Sequence, residues 1–160
     1  MSPTDFSGEA ITAEGLADLR AEVEELEGEG RKQMAARIKT ARELGDLKEN
    51  ADYHIAKEDQ AHLETRIKRL RQRLRDAEVV EVDAAADVFA FGRTAEVLDD
   101  STGEVHAWTL VGPTEADLAS GRLSAESPVG RALRDSEVGA SVKVTTPKGD
   151  KTFRVQKLVD

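Results

Sequence analysis

Two apolar runs at heptad spacing, with a break of six residues between them that suits a turn better than a helix, constrain this chain more than any other feature. Leu16, Leu19, Val23 and Leu26 precede the break, and Leu63, Ile67, Leu70, Leu74 and Ala77 follow it at alternating steps of four and three. Such runs are the seams of helices that pack along their length; joined by a turn, they fold back as an antiparallel two-helix coiled coil. The break is Gly45-Asp46-Leu47-Lys48-Glu49-Asn50, the tip of the expected hairpin at 45–50. At about 1.5 Å of rise per residue, arms of roughly thirty residues hold that tip on the order of 45 Å from the base.

Residues 1–11 read as a loose polar leader carrying Pro3 and Gly8. Thr12 is the expected N-cap of a hairpin over 12–80, whose first helix runs from about 13 to 44 and whose second runs from about 50 to 77. Gly28 and Gly30 lie inside the first arm, where each is disfavoured by about 1 kcal/mol relative to Ala. The apolar pattern resumes out of phase at Met34, Ile38 and Ala41, so a bend or register shift is expected near the glycines. Gly45 stands where a left-handed residue would close the first helix. Glu22, Glu24, Glu25, Glu27 and Glu29 in one arm face Arg66, Lys68, Arg69, Arg71 and Arg73 in the other once the chain folds about the turn. Flanking charges of this kind select orientation and register more than they add stability.

The stretch 81–87, with Asp83-Ala84-Ala85-Ala86-Asp87, reads as a linker into a second domain over 88–160. There Val88–Phe91, Thr94–Leu98, Val105–Val111, Ser141–Thr146 and Thr152–Leu158 alternate like strands, with turns at 99–103 and 147–150. Ser127 followed by Pro128 opens a short helix through Leu133. The fold class is therefore α+β: a helical hairpin followed by an antiparallel sheet domain with one short helix. Trp108 lies in a strand and is expected in the core.

Composition narrows the function. The chain has no cysteine, which removes disulfide frameworks and thiolate metal sites and suits a reducing compartment. No apolar run approaches the roughly 20 residues of a membrane span, and the polar start lacks the blocks of a signal peptide; a cytoplasmic protein without membrane association is expected. A net charge of -9 opposes free association with nucleic acid.

The tip carries two carboxylates three positions apart, Asp46 and Glu49. Their spacing fits an N-capping box at the start of the second helix, a role Asn50 could also fill. It equally fits hard oxygen ligands for a cation. Mg²⁺ prefers octahedral oxygen coordination, so two carboxylates are too few for a dedicated site, and further ligands would have to come from elsewhere.

The run Ala41-Arg42-Glu43-Leu44-Gly45-Asp46-Leu47-Lys48-Glu49-Asn50-Ala51-Asp52-Tyr53-His54 resembles the tip of the bacterial GreA/GreB transcript cleavage factors, on the GreA side of that family. So do Gly112-Pro113-Thr114-Glu115-Ala116-Asp117 and Ser124 to Leu133 in the second domain, in the same order. The resemblance implies a coiled coil that enters the secondary channel of RNA polymerase and a C-terminal domain of FKBP-like topology that docks at the channel rim. It assigns Asp46 and Glu49 to help hold a catalytic Mg²⁺ shared with the polymerase and to orient water, so that backtracked RNA is hydrolysed. It places Arg42 and Lys57 where basic residues face the extruded RNA 3′ segment, with Lys48 beside the carboxylates as an addition. In this picture the chain is a monomeric factor that stimulates the polymerase and is not itself an enzyme. The alternative is a related channel-binding regulator that does not activate cleavage. A helical scaffold would require an apolar stripe outside the seam, which the sequence does not display. Tyr53 is expected to pack at the hairpin neck and His54 to be an exposed helix residue; His62 and His106 suggest no site.

Overall fold

The computed structural model describes residues 9–82 and 87–159. Most of the expected leader, 1–8, and the middle of the expected linker, 83–86, lie outside the described residues. The described chain divides into two compact units: Leu16–Ala77 forms one, while Glu9–Gly15 groups with the residues from Glu78 onward.

The first unit is the helical hairpin. Helix α1 spans Ala13–Glu25, a π-helical turn occupies Leu26–Gly30, α2 spans Arg31–Arg42 and α3 spans Ala51–Asp76. Its buried seam comprises Leu19, Val23, Ile38, Ala41, Ala56, Ile67 and Leu70. The π turn accounts for the phase change read from the sequence. Val23 and Ile38, both buried, are fifteen residues apart, one more than two heptads. A widened turn with i→i+5 bonding absorbs that extra residue, so the apolar positions on both sides of it face the seam. Neither end of the π turn carries a side-chain cap, and the helical backbone continues through it.

Ion pairs line the hairpin. Arg31 grips Glu64 through two bonds of 2.9 and 3.0 Å, and Arg37 meets Asp59 at 2.7 Å. These pairs advance six residues along α2 and retreat five along α3, as antiparallel helices require. Arg66 pairs with Glu22 and Arg71 with Glu27. Part of the two charge blocks is thus consumed inside the hairpin, while Glu24, Glu25, Lys68, Arg69 and Arg73 remain on exposed faces.

The second unit is built on a five-stranded sheet. Strands β3 (Thr94–Asp99), β4 (Glu104–Val111), β5 (Arg122–Ser124), β6 (Ser141–Thr146) and β7 (Gly149–Leu158) lie in the order β5-β4-β3-β7-β6. Three of the four pairings are antiparallel, but β5 runs parallel to β4, so the sheet is mixed where an antiparallel one was expected. A strand of three residues following a 3₁₀ turn at Leu118–Ser120 offers too little alternation to be read in advance. Helix α4 (Pro128–Leu133) is capped as expected, the Gly130 N–H donating to the Ser127 hydroxyl at 3.0 Å. Phe89, Val97, Leu110, Leu123, Leu133, Val144, Phe153 and Val155 form the core.

Three expectations require correction here. Val88–Phe91 is not a strand: Phe89 and Phe91 are buried, but Val88 makes a single bridge to Glu137, and the chain turns at Gly92 with φ +84°. The alternation read in this stretch reflects core insertion without a ladder. The leader does not extend to residue 11, because Glu9–Ile11 forms β1 and pairs with β2, Ala77–Val79. Ile11 is 2% exposed, and burying an apolar side chain with its backbone bonded to a neighbouring strand is favoured over leaving both in water. Trp108 is half-buried at the core's margin, stacked on His106 with ring centroids 4.9 Å apart and tilted against Phe153 at 5.8 Å.

Candidate functional site at the hairpin tip

The tip is assembled by two helix ends that stop for different reasons. At the C-terminus of α2 the last turn tightens, with the Leu44 N–H bonding to the Ala41 carbonyl at 3.2 Å. The chain then leaves the helix through Gly45 at φ +127°, a conformation that favours glycine. Helix closure therefore falls earlier than the sequence suggested, with Glu43 as the C-cap in a right-handed conformation.

Helix α3 starts at Ala51 with Asn50 as its N-cap. Asn50 Oδ1 accepts the Tyr53 N–H at 3.0 Å, satisfying one of the free donors of the first turn. The Asn50 side-chain amide donates in the other direction, to the Ala41 carbonyl of α2 at 2.5 Å. One residue thus caps α3 and bonds across the neck of the hairpin. Only the capping half is legible in the sequence, because nothing in a local motif tells which carbonyl a side-chain amide will reach.

This arrangement resolves the two readings of the carboxylates with respect to folding. Asp46 and Glu49 do not cap α3; the capping box would need a helix beginning four residues earlier than α3 does. Asp46 Oδ1 accepts the Lys48 N–H at 3.0 Å in a local turn. Every residue from Arg42 to Glu49 is exposed.

Arg42 and Tyr53 meet at the neck, the guanidinium lying 5.8 Å from the ring centroid, within range of a cation–π contact. Tyr53 is half-buried and also touches His54 edge-on at 5.7 Å. Lys57 lies farther along α3, exposed, with its ammonium bonded to Gln60 at 3.0 Å. The structure therefore brings Arg42 to the tip's neck and leaves Lys57 on the adjoining helix face.

An apolar patch beside the tip was not anticipated. Leu44 is 66% exposed, Ile55 50% and Leu47 40%. Leu44 and Ile55 flank a groove of about 380 Å³ lined also by Arg37, Thr40, Ala41 and Asp52. Ile55 sits next to the seam residue Ala56, out of heptad phase, which is the signal that could have revealed it.

Among the described residues, no cluster of three or more His, Asp or Glu side chains could hold a metal ion. Asp46 and Glu49 offer hard oxygen donors of the type Mg²⁺ prefers, but only as part of a larger ligand set. No helix among the described residues is long and apolar enough to cross a membrane.

Comparison with known proteins agrees with this architecture in both units. Residues 9–79 match the model described as "Transcription elongation factor, N-terminal", and residues 84–159 match "Transcription elongation factor, GreA/GreB, C-term". Transcription elongation factor GreA of Rhodospirillum rubrum is 42% identical over 146 residues, covering 91% of this chain and 93% of its own. Its counterpart from Thioalkalivibrio sulfidiphilus is 40% identical over 147 residues, with the same coverage. Among solved structures, GreA factor homolog 1 (Gfh1) of Thermus thermophilus aligns over 96% of this chain and 99% of its own at 27% identity, with a TM-score of 0.42, too low to support an argument from shape. Two family matches that together span nearly the whole chain, and relatives at this identity over nine-tenths of it, establish that the chain belongs to the GreA/GreB family of transcription elongation factors.

Proposed function

We propose that this chain binds RNA polymerase, inserts its hairpin tip into the secondary channel and stimulates hydrolysis of backtracked RNA, returning an aligned 3′ end to the polymerase. The observation that carries this reading is the pair of carboxylates, Asp46 and Glu49, exposed at the tip with helix capping assigned to Asn50. Carboxylates that carry no helix cap are available to serve a partner.

The polymerase centre would hold Mg²⁺, which supplies charge neutralisation and an activated water in hydrolysis of this kind. Asp46 and Glu49 would add oxygen donors to a ligand set completed by polymerase carboxylates and RNA phosphate. Arg42, within cation–π range of the Tyr53 ring, would present a positive charge toward the RNA 3′ segment. Lys57 adds a second cation on the adjoining helix face. The sheet unit serves for docking; topology of the FKBP kind does not by itself bring prolyl isomerase activity. The chain acts as a cytoplasmic, monomeric factor on the polymerase's own activity.

Release of short RNA fragments from stalled, backtracked elongation complexes tests this directly. At saturating protein, fragment release should accelerate in a Mg²⁺-dependent way. Binding to polymerase without faster release would favour a regulator that occupies the channel only, and no binding would remove the proposal.

A further inference from the structure

We infer that Asn50 is a positioning residue for the tip: its bond across the neck fixes the loop that presents Asp46 and Glu49. The inference rests on the proposed cleavage function for its consequence and on the geometry of Asn50 for its cause. An N-cap needs only an acceptor, and serine or aspartate would satisfy α3 as well as asparagine. Asparagine alone among these also supplies an amide donor, and that donor is used: Asn50 Nδ2 reaches the Ala41 carbonyl at 2.5 Å. Ala41 is buried in the seam, so the acceptor belongs to the packed part of the hairpin. The tip loop begins just beyond the last turn of α2 and ends at Asn50, so this one bond pins the end of the loop to the helix from which the loop started.

The same residue fixes a second element. Its Oδ1 holds the Tyr53 N–H at 3.0 Å, and the Tyr53 ring lies against the Arg42 guanidinium. Asn50 thus ties the carboxylates on one side and the cation on the other to a common frame. Between Arg42 and Asn50 the chain buries no side chain that could replace it, since residues 42–49 are all exposed. A loop without a core keeps its shape through such bonds, and small displacements of groups that must meet a reacting centre lower rates steeply.

Asn50→Ser in the intact chain separates the two bonds, keeping a capping hydroxyl while removing the amide donor. Amide hydrogen exchange provides a readout independent of activity. The Lys48 N–H, which reports the Asp46 turn, should exchange about tenfold faster or more in the variant, while amides in the interior of α3 stay as protected as in the original protein. On backtracked polymerase complexes at saturating factor, the variant should lose on the order of 10- to 100-fold in cleavage rate. It should also need more Mg²⁺ for half-maximal cleavage, with little change in polymerase affinity; a role confined to hairpin stability would not move that Mg²⁺ requirement. Asn50→Asp, which retains the acceptor and also lacks the donor, should behave in the same way. Unchanged Lys48 exchange would overturn the inference, as would faster exchange accompanied by an unaltered rate and Mg²⁺ requirement. If the original protein binds polymerase but stimulates no cleavage, the proposed function fails, and the exchange experiment still determines whether Asn50 fixes the loop.

Discussion

Glu115 accepts the backbone N–H of Thr12, 103 residues away, at 3.1 Å, while the Thr12 hydroxyl donates to the other oxygen of the same carboxylate. The carboxylate also accepts the Gly112 N–H at 2.9 Å. Thr12 in turn caps α1 by accepting the Gly15 N–H at 3.0 Å, so one acidic side chain organises both the first helix start and the loop after β4. Glu115→Ala should lower stability by about 1–3 kcal/mol, because part-buried donors would lose a charged acceptor. Glu115→Gln should recover part of that loss; urea denaturation of both variants measures it.

Gly130 is predicted to tolerate no side chain. A Cβ there would lie 1.9 Å from the Ser124 carbonyl oxygen, a backbone atom that cannot swing aside. Gly130→Ala should destabilise the sheet unit by about 1–3 kcal/mol through overpacking and a shifted α4. Denaturant unfolding followed by Trp108 fluorescence reports this unit selectively.

Gly28 should respond with the opposite sign. A Cβ at this position meets nothing within 4 Å, and the backbone is helical. Gly28→Ala should therefore stabilise the hairpin by up to about 1 kcal/mol, the helix preference of Ala over Gly. A rise in the melting temperature followed by helical circular dichroism would show it; a fall would mean that the π turn requires glycine.

Acid should weaken the sheet unit through Asp99. This residue is 5% exposed, and its carboxylate is held below the ordinary range first by the Ser101 hydroxyl at 2.6 Å, with the Ser101 N–H at 2.9 Å and the charge of Lys151 assisting and burial opposing. A carboxylate depressed in the folded state contributes stability that is complete above its unfolded value of about 3.9 and is lost as the pH falls from there through the folded value. The Asp99→Asn variant should show a flatter loss of stability below about pH 4 than the original protein, measured by denaturation at a series of pH values.

Asp46→Asn combined with Glu49→Gln should return cleavage to the unassisted rate of the polymerase while leaving the melting temperature and polymerase affinity nearly unchanged. Asp46 contributes one exposed turn bond and neither carboxylate caps α3, so the fold has little to lose. Stimulated cleavage at the original rate would remove both residues from the chemistry. A large drop in melting temperature would show instead that they serve the fold.

The hairpin was legible because its information is local and periodic: heptad spacing, an N-cap at Thr12, glycines at the phase change and a turn at 45–50 all speak within a few residues of one another. The strands β3, β4, β6 and β7 were legible for the same reason. What escaped depended on long-range partners. The strand at Glu9–Ile11 exists because Ala77–Val79 is there to receive it, and Phe89 with Phe91 mimics a strand because burial alone can produce alternation. The parallel direction of β5 follows from chain path, which three residues cannot encode. At the tip, residue types pointed to Asp46 and Glu49, but only coordinates distinguish the capping residue from the carboxylates it spares, or reveal that Asn50 reaches Ala41.

The π turn at Leu26–Gly30 has a bearing on how this arm can change in length. A residue deleted elsewhere in α1 or α2 would swing everything beyond it by about 100° around the helix axis, carrying the tip acids away from their present heading. A residue removed within the π turn would leave an ordinary α-helix with fourteen residues from Val23 to Ile38, and both anchors would still face inward. Single-residue deletions among relatives are therefore expected to concentrate in this turn, where one residue can be lost without re-aiming the tip.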